Sequence, residues 1–140
     1  MARSLKTLIR LNEWTVDQKR RKLGGILRLI NALQNQAQLL EEELIEEQAS
    51  AANDPSEAGF LYGNYANHVI ERRERIALSI QQSEQEAEVA REELNEAYRE
   101  LKKYETAQKN REVREQKELA VREQMVLDEI GLQGYARKKA

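Results

Sequence analysis

The chain has 140 residues, a net charge of −2, 34% charged side chains, one proline and no cysteine. Strong helix formers dominate, which favours an all-α protein, and the lack of cysteine excludes disulfides and thiolate metal sites. No run of about 18 apolar residues is present to span a membrane. Met1–Lys6 starts basic but has no apolar run after it, so we expect neither a cleaved signal peptide nor direct membrane insertion.

Helix 1 is predicted over residues 4–51. A heptad frame runs along it, which is typical of helices that supercoil around a partner. Gly24 and Gly25 fall inside this helix, but the frame stays in phase from Leu23 to Ile30, so we expect a slight bend rather than a break. Its positions are Ala2, Leu5, Ile9, Asn12, Val16, Lys19, Leu23, Ile26, Ile30, Leu33, Ala37, Leu40, Leu44, Glu47 and Ala51.

A turn is predicted over residues 52–57, because three consecutive signals for the start of a helix coincide there. Asp54 suits the N-cap, Pro55 suits the first helical position, and Glu57 can complete a capping box. The second helix should therefore begin near residue 56.

Helix 2 is predicted over residues 56–130, with Gly131 as its stop and a flexible tail over 131–140. Its stripe ends at Tyr104, after which the same frame gives Gln108, Arg111, Glu115 and Glu118. The pattern predicts a single domain, a long antiparallel two-helix coiled-coil hairpin with an overhanging C-terminal helix; a fold at Asp54 places residue 5 beside residue 104. The stripe contains Tyr62, Ala66, Val69, Ile76, Ile80, Ala87, Ala90, Leu94, Ala97, Leu101 and Tyr104.

Charge is unevenly distributed along the chain. Residues 1–28 carry a net +6, residues 29–100 a net −11 and residues 101–140 a net +3. In the predicted hairpin the end that holds both termini is basic, and the middle and the turn are acidic. Such polarity orients a protein as it docks on a partner.

Candidate chemistry is sparse. His68 is the only histidine, and Glu41–Glu43 with Glu46 and Glu47 form an acidic run that we interpret as a solvated helix face. Phosphate-binding, nucleophile-elbow and cysteine-nucleophile motifs are absent, and a two-helix hairpin lacks a catalytic pocket. We therefore expect no enzymatic activity, no catalytic residues, no metal and no cofactor.

Two surface features suggest partner binding instead. Leu11 and Trp14 point away from helix 2, and tryptophan is enriched at binding hot spots. On helix 2, a new apolar stripe follows beyond the predicted reach of helix 1. It would have no role, pair with another copy or enter a cavity of a partner, and we expect the last, because an uncovered apolar stripe otherwise invites aggregation. Its members are Leu119, Val126, Leu127 and Ile130.

The basic run at residues 19–22 would suit nucleic acid, an anionic membrane or a protein surface. We expect a protein, because the middle of the chain is acidic and no aromatic residues alternate with the basic ones. Nucleic acid is therefore not an expected partner.

Both ends of the sequence resemble the FliJ family, the small coiled-coil proteins of bacterial flagellar type III export. At the start the resemblance rests on Leu5, Leu8–Leu11 and Val16–Arg20. At the end it rests on Tyr104-Glu105, Arg111–Leu119 and Asp128–Ile130. Ala120–Leu127 separate the last two stretches, which lie closer together in the family's usual pattern.

The resemblance implies a non-enzymatic stalk, cytoplasmic and peripheral at the inner membrane, that links the flagellar export ATPase to the export gate membrane protein and to export chaperones. It implies gate or chaperone contacts at Phe60, Tyr62 and Tyr65. It also implies ATPase contacts at Leu11, Trp14, Arg20, Arg21, Leu119, Val126, Leu127 and Ile130. The alternatives are a self-associating coiled-coil scaffold, an adaptor or chaperone, and a nucleic-acid-binding protein.

Overall fold

A computed structural model describes residues 2–53 and 58–139, and all of these residues are helical. Helix α1 spans Ala2–Asn53 and helix α2 spans Ala58–Lys139. The predicted fold class is confirmed: the two long helices pack against each other as an antiparallel hairpin, and no strand occurs in the two described ranges. Of the predicted turn, residues 52 and 53 belong to α1, whereas Asp54, Pro55 and Glu57 lie outside the described residues.

The hairpin divides into two units, and the larger one comprises residues 15–97. Within it, the ion pair between Glu41 and Arg73 and the pair between Lys19 and Glu93 fix the antiparallel sense. A fold at Asp54 predicts that Lys19 lies beside residue 90, so the observed register is shifted by about one helical turn.

The heptad frame predicts the core of this unit correctly. Val69 and Ala90 are each only 1% exposed, and every position of the α2 frame between them is buried or half-buried except Arg73. Small residues dominate the middle of the α2 stripe, which lets the two helix backbones approach closely. The buried residues of the unit are Val16, Ile30, Leu40, Val69, Ser83, Ala87, Ala90 and Ala97.

The second unit combines residues 2–14 of α1 with residues 98–139 of α2. Half-buried side chains follow the predicted frame on both segments: Leu5, Ile9 and Asn12 on α1, and Leu101, Tyr104, Gln108 and Arg111 on α2. Every side chain from 112 to 138 is exposed. We call residues 112–139 the overhang, because α2 continues there without cover from α1.

The predicted end of helix 2 at Ile130 is wrong, since α2 continues through Gly131 and Gly134 to Lys139. Likewise α1 continues through Gly24 and Gly25. A glycine costs about 1 kcal/mol relative to alanine inside a helix, whereas nucleating a new helix costs more than adding residues to an existing one. A single glycine in a helix of this length therefore weakens it without ending it.

Candidate partner-binding surfaces

The α1 segment of the smaller unit carries three exposed apolar side chains that the frame excludes from the core, Leu8, Leu11 and Trp14, and the last two are the more exposed. Trp14 is 61% exposed, and Leu11, one turn earlier on the same face, is also exposed. Asn12, next to Leu11, donates from its side-chain amide to the carbonyl oxygen of Leu8 at 2.7 Å, so its own polarity is satisfied within the helix. An exposed tryptophan on a regular helix is a rigid apolar surface that a partner can cover.

The overhang carries the predicted apolar stripe on one face. Leu119, Val126, Leu127 and Ile130 are all more than half exposed, with Val126 at 58%. Val126, Leu127 and Ile130 follow Leu119 by seven, eight and eleven residues, a spacing that places all four side chains on one side of the helix. Arg122, Glu123, Val126 and Leu127 line a shallow groove on this side. The stripe is therefore continuous and uncovered.

Sequence reasoning missed a second apolar stripe on the overhang. Val121, Met125, Leu132 and Tyr135 are also more than half exposed. Together with Asp128 these residues are spaced alternately four and three positions apart. They lie on nearly the opposite side of α2 from the first stripe. A heptad frame restarted at Val121 would have found them. The overhang is thus apolar on two sides, which is unusual for a helix exposed to water.

The basic run belongs to the larger unit, and much of its charge is already engaged there. Lys19 and Lys22 both donate to Oε2 of Glu93, each at 3.2 Å, and Arg21 pairs with Asp17 at 3.1 Å. The two lysine hydrogen bonds hold the pKa of the Glu93 carboxyl below its ordinary value. Two residues of the predicted docking run therefore join α1 to α2, a role that the sequence did not indicate, while Arg20 and Arg21 remain exposed.

The acidic part of the larger unit holds the predicted aromatic contacts. Tyr62 and Tyr65 are half-buried, whereas the side chain of Phe60 lies outside the described ones. Partial burial raises the pKa of the Tyr65 phenol, the carboxylates of Glu43 and Glu47 raise it further, and its hydroxyl donates to Glu43. Tyr62 and Tyr65 line a shallow groove with Glu47, Ser50, Ala51 and Leu61.

This groove combines two phenol rings and an exposed leucine with the carboxylate of Glu47, and Glu43 lies beside it as the acceptor of the Tyr65 hydroxyl, so the groove matches a partner that presents apolar and basic side chains. Glu41, by contrast, is paired with Arg73 across the hairpin. The remaining run at Glu42, Glu43, Glu46 and Glu47 is exposed. Glu43 accepts a hydrogen bond from Tyr65 of α2, whereas Glu42, Glu46 and Glu47 lie on the exposed face, so the negative field of this surface comes from the edge of the interhelical contact and from the exposed face beside it.

Neither a metal site nor a membrane span emerges from the ordered helices. Across residues 2–53 and 58–139, no three His, Asp or Glu side chains are grouped to hold a metal ion. The described parts of α1 and α2 contain no segment that is long and apolar enough to cross a bilayer.

Comparison with known proteins places the chain in a family. A profile of the family described as "Flagellar FliJ protein" matches residues 1–140. Two curated relatives of that same name, from Caulobacter vibrioides strains NA1000 / CB15N and ATCC 19089 / CIP 103742 / CB 15, are each 29% identical over 136 residues, covering 97% of both chains. No solved structure matches the chain. Because the profile covers the whole sequence, the chain belongs to the flagellar FliJ family.

Proposed function

We propose that this protein is a non-enzymatic stalk of the bacterial flagellar type III export apparatus, which couples the ring of the export ATPase to the export gate membrane protein and to export chaperones. It would work in the cytoplasm and sit peripherally at the inner membrane through these partners. Family membership supports a flagellar role.

One observation carries the ATPase part of the proposal. Burial along α2 stops at Arg111, yet the helix continues to Lys139 with apolar side chains on two sides. Such a helix leaves apolar surface uncovered, so it is suited to insertion into a partner. The overhang, about 40 Å long, would reach into the centre of the ring, where apolar walls cover both stripes.

The remaining candidate surfaces follow from charge. Arg20 and Arg21 would face acidic loops of the ATPase, with Leu11 and Trp14 as apolar contacts on the same helix. The acidic groove at Tyr62 and Tyr65, together with Phe60, would bind the gate or chaperones. Opposite charges at the two sets of surfaces favour one orientation of docking over its reverse.

Binding to the purified export ATPase and stimulation of its turnover test the proposal. The double variant Val126→Asp/Ile130→Asp places charge in a contact that must lose water, so it should raise the off-rate and reduce stimulation. The control Gln124→Asp/Ala136→Asp adds the same charge at positions of the overhang outside the stripe of Leu119, Val126 and Ile130, and it should bind more tightly than the apolar variant. Full binding and stimulation by the Val126, Ile130 variant would remove the overhang from the mechanism.

The second candidate function is a self-associating coiled-coil scaffold. The exposed apolar stripe at Leu119, Val126, Leu127 and Ile130 favours it, because a second copy can also cover such a surface. A scaffold would leave ATPase turnover unchanged, whereas the proposed stalk would stimulate it.

A further inference from the structure

We propose that the free chain pairs with a second copy of itself through the overhang, in antiparallel orientation, with Ile130 of each copy packed against Leu119 of the other. The pairing follows from the pattern of the overhang alone. Its consequence for docking rests on the export function proposed above.

The spacing of the first stripe is that of a coiled coil. Leu119, Glu123, Val126, Ile130 and Gln133 follow steps of four and three residues, and all five are exposed. In an antiparallel coiled coil, each a position of one helix lies level with a d position of the partner helix. This rule sets Ile130 opposite Leu119 of the second copy, and Val126 opposite Glu123.

The same register uses the whole overhang. With Ile130 opposite Leu119, Arg137 lies opposite Glu112 of the second copy, so the ends of the two overhangs carry opposite charges. Glu112 is the first residue past Arg111, the last half-buried position of α2. The two overhangs therefore overlap along their whole length, and the overlap ends where α1 begins to cover α2. A parallel pair would instead set Glu123 against Glu123 and Arg137 against Arg137, and like charges there disfavour it.

Both flanks of the antiparallel pair are complementary. On one side Arg122 lies near Glu129 of the second copy, and the two-fold symmetry repeats this contact. Glu129 accepts a hydrogen bond of 3.5 Å from Gln133 in the single chain, a length that leaves it able to engage a guanidinium. On the other side Leu127 lies near Ala120 of the second copy, which extends the apolar contact.

The opposite stripe fits a second copy less well. Pairing it by the same rule sets Met125 against Asp128 of the second copy and brings Lys117 near Lys138, with both contacts repeated by symmetry. Two lysine pairs on one flank repel each other. The charge pattern therefore selects the stripe of Leu119, Val126 and Ile130 for self-pairing and leaves the stripe of Val121, Met125 and Leu132 uncovered.

The charge of Glu123 opposite Val126 weakens the dimer. The small surface area that the dimer buries weakens it as well. We expect a dissociation constant between about 1 μM and 1 mM, in the range of transient interfaces. Because the pair covers four of the proposed ATPase contacts, pairing and docking exclude each other. A weak dimer would hide the apolar stripe until the higher-affinity partner displaces the second copy.

Paired cysteines test the register directly, since the chain has none of its own. The variant Leu119→Cys/Ile130→Cys should form a covalent dimer on mild oxidation. Within one helix these positions are about 16 Å apart, too far for an internal disulfide. The matched control Val121→Cys/Leu132→Cys has the same spacing on the opposite stripe and should cross-link at least about ten-fold more slowly. Equal rates for the two variants would overturn the proposal.

Sedimentation of the unmodified chain gives an independent readout. Its mass should rise above 16.3 kDa with concentration, and Glu123→Leu should strengthen the dimer, whereas Gln124→Leu should not. Arg122→Glu and Glu129→Arg should each weaken it, and the two together should restore it. A monomer at all concentrations up to about 1 mM, or no response to Glu123→Leu, would overturn the pairing.

The consequence for docking has its own test. The oxidised Leu119→Cys/Ile130→Cys dimer should fail to bind the export ATPase and should bind after reduction. If the oxidised dimer binds as tightly as the reduced chain, the stripe is not an ATPase contact and that part of the proposed function fails. The self-pairing is judged separately, from the cross-linking rates and the sedimentation masses.

Discussion

The ammonium group of Lys19 on α1 lies 3.2 Å from Oε2 of Glu93 on α2, although Lys19 occupies a position of the heptad frame where an apolar residue is usual. Lys22, one turn later, reaches the same oxygen. A lysine in the stripe is tolerated here because its stem lies along the seam while its charge reaches a carboxylate at the edge. Glu93 thus binds the ammonium groups of both lysines, and this contact sets which turn of α2 faces which turn of α1.

This contact makes stability depend on pH in the acid range. The pKa of Glu93 is lowered in the folded chain from an ordinary value of 4.5, because Lys19 and Lys22 hydrogen-bond to the carboxylate. A lowered folded pKa adds stability above the unfolded pKa, and this is lost as the pH falls through the folded value. Urea unfolding of Glu93→Gln should therefore show a smaller free energy of unfolding than the unmodified chain at pH 7. The difference should shrink below pH 4.5. An unchanged difference at low pH would mean that the contact acts through packing and not through charge.

Close packing in the larger unit predicts a strong size limit at Ala90. Its side chain is 1% exposed, so leucine there forces the helices apart and should cost about 1–3 kcal/mol of unfolding free energy. Val89→Leu is the matched control, because Val89 is exposed on the next position of the same helix. Thermal unfolding followed by circular dichroism compares the two. A milder effect at Ala90 than at Val89 would contradict the close approach of the helices.

Tyr65 should contribute to gate or chaperone binding through both its ring and its hydroxyl. Phe60→Ala/Tyr65→Ala should weaken binding to the gate or to a chaperone and leave ATPase binding intact, because the acidic groove loses apolar surface. Tyr65→Phe removes the hydrogen bond to Glu43 and keeps the ring, so it separates the two contributions. Loss of ATPase binding with intact gate and chaperone binding would reverse the proposed orientation.

Arg20 and Arg21 should act mainly on the rate of association with the ATPase. Charge reversal at both positions removes electrostatic steering, so the on-rate should fall and its salt dependence should become shallower. Arg75→Glu/Arg91→Glu changes the net charge equally in the acidic part of the chain and serves as the control. Stopped-flow binding at several salt concentrations gives the comparison. Equal effects of the two variants would assign the rate change to net charge rather than to a local surface.

The continuous helix through Gly131 predicts a stabilising substitution. A Cβ at Gly131 would meet no atom within 4 Å, so Gly131→Ala should stabilise the end of α2 by up to about 1 kcal/mol. Amide hydrogen exchange should slow near residues 127–135 in this variant. Unchanged or faster exchange there would indicate that this part of α2 is not helical in solution.

Much of the fold follows from periodicity in the sequence. Val16, Ile30 and Leu40 were predicted on the stripe of helix 1 and Val69 on that of helix 2, and all four are buried, because a heptad repeat on a helix aligns its members on a single side. The exposed stripe at Leu119, Val126 and Ile130 was also identifiable, since the repeat of α1 offers no residues to cover it. The candidate contacts at Arg20, Arg21 and Tyr65 remain predictions from charge and resemblance.

What the sequence by itself determined is the helical fold class, the heptad frame of both helices and the flagellar FliJ resemblance, because these depend on the order of residue types alone. The tertiary structure decided the register, the joining role of Lys19 and Lys22, the burial of Ser83 and the point at Arg111 where cover ends. It also decided that α2 passes Gly131. These features depend on which turns of two helices meet and on competing energies of about 1 kcal/mol, and a periodic pattern is compatible with several such registers.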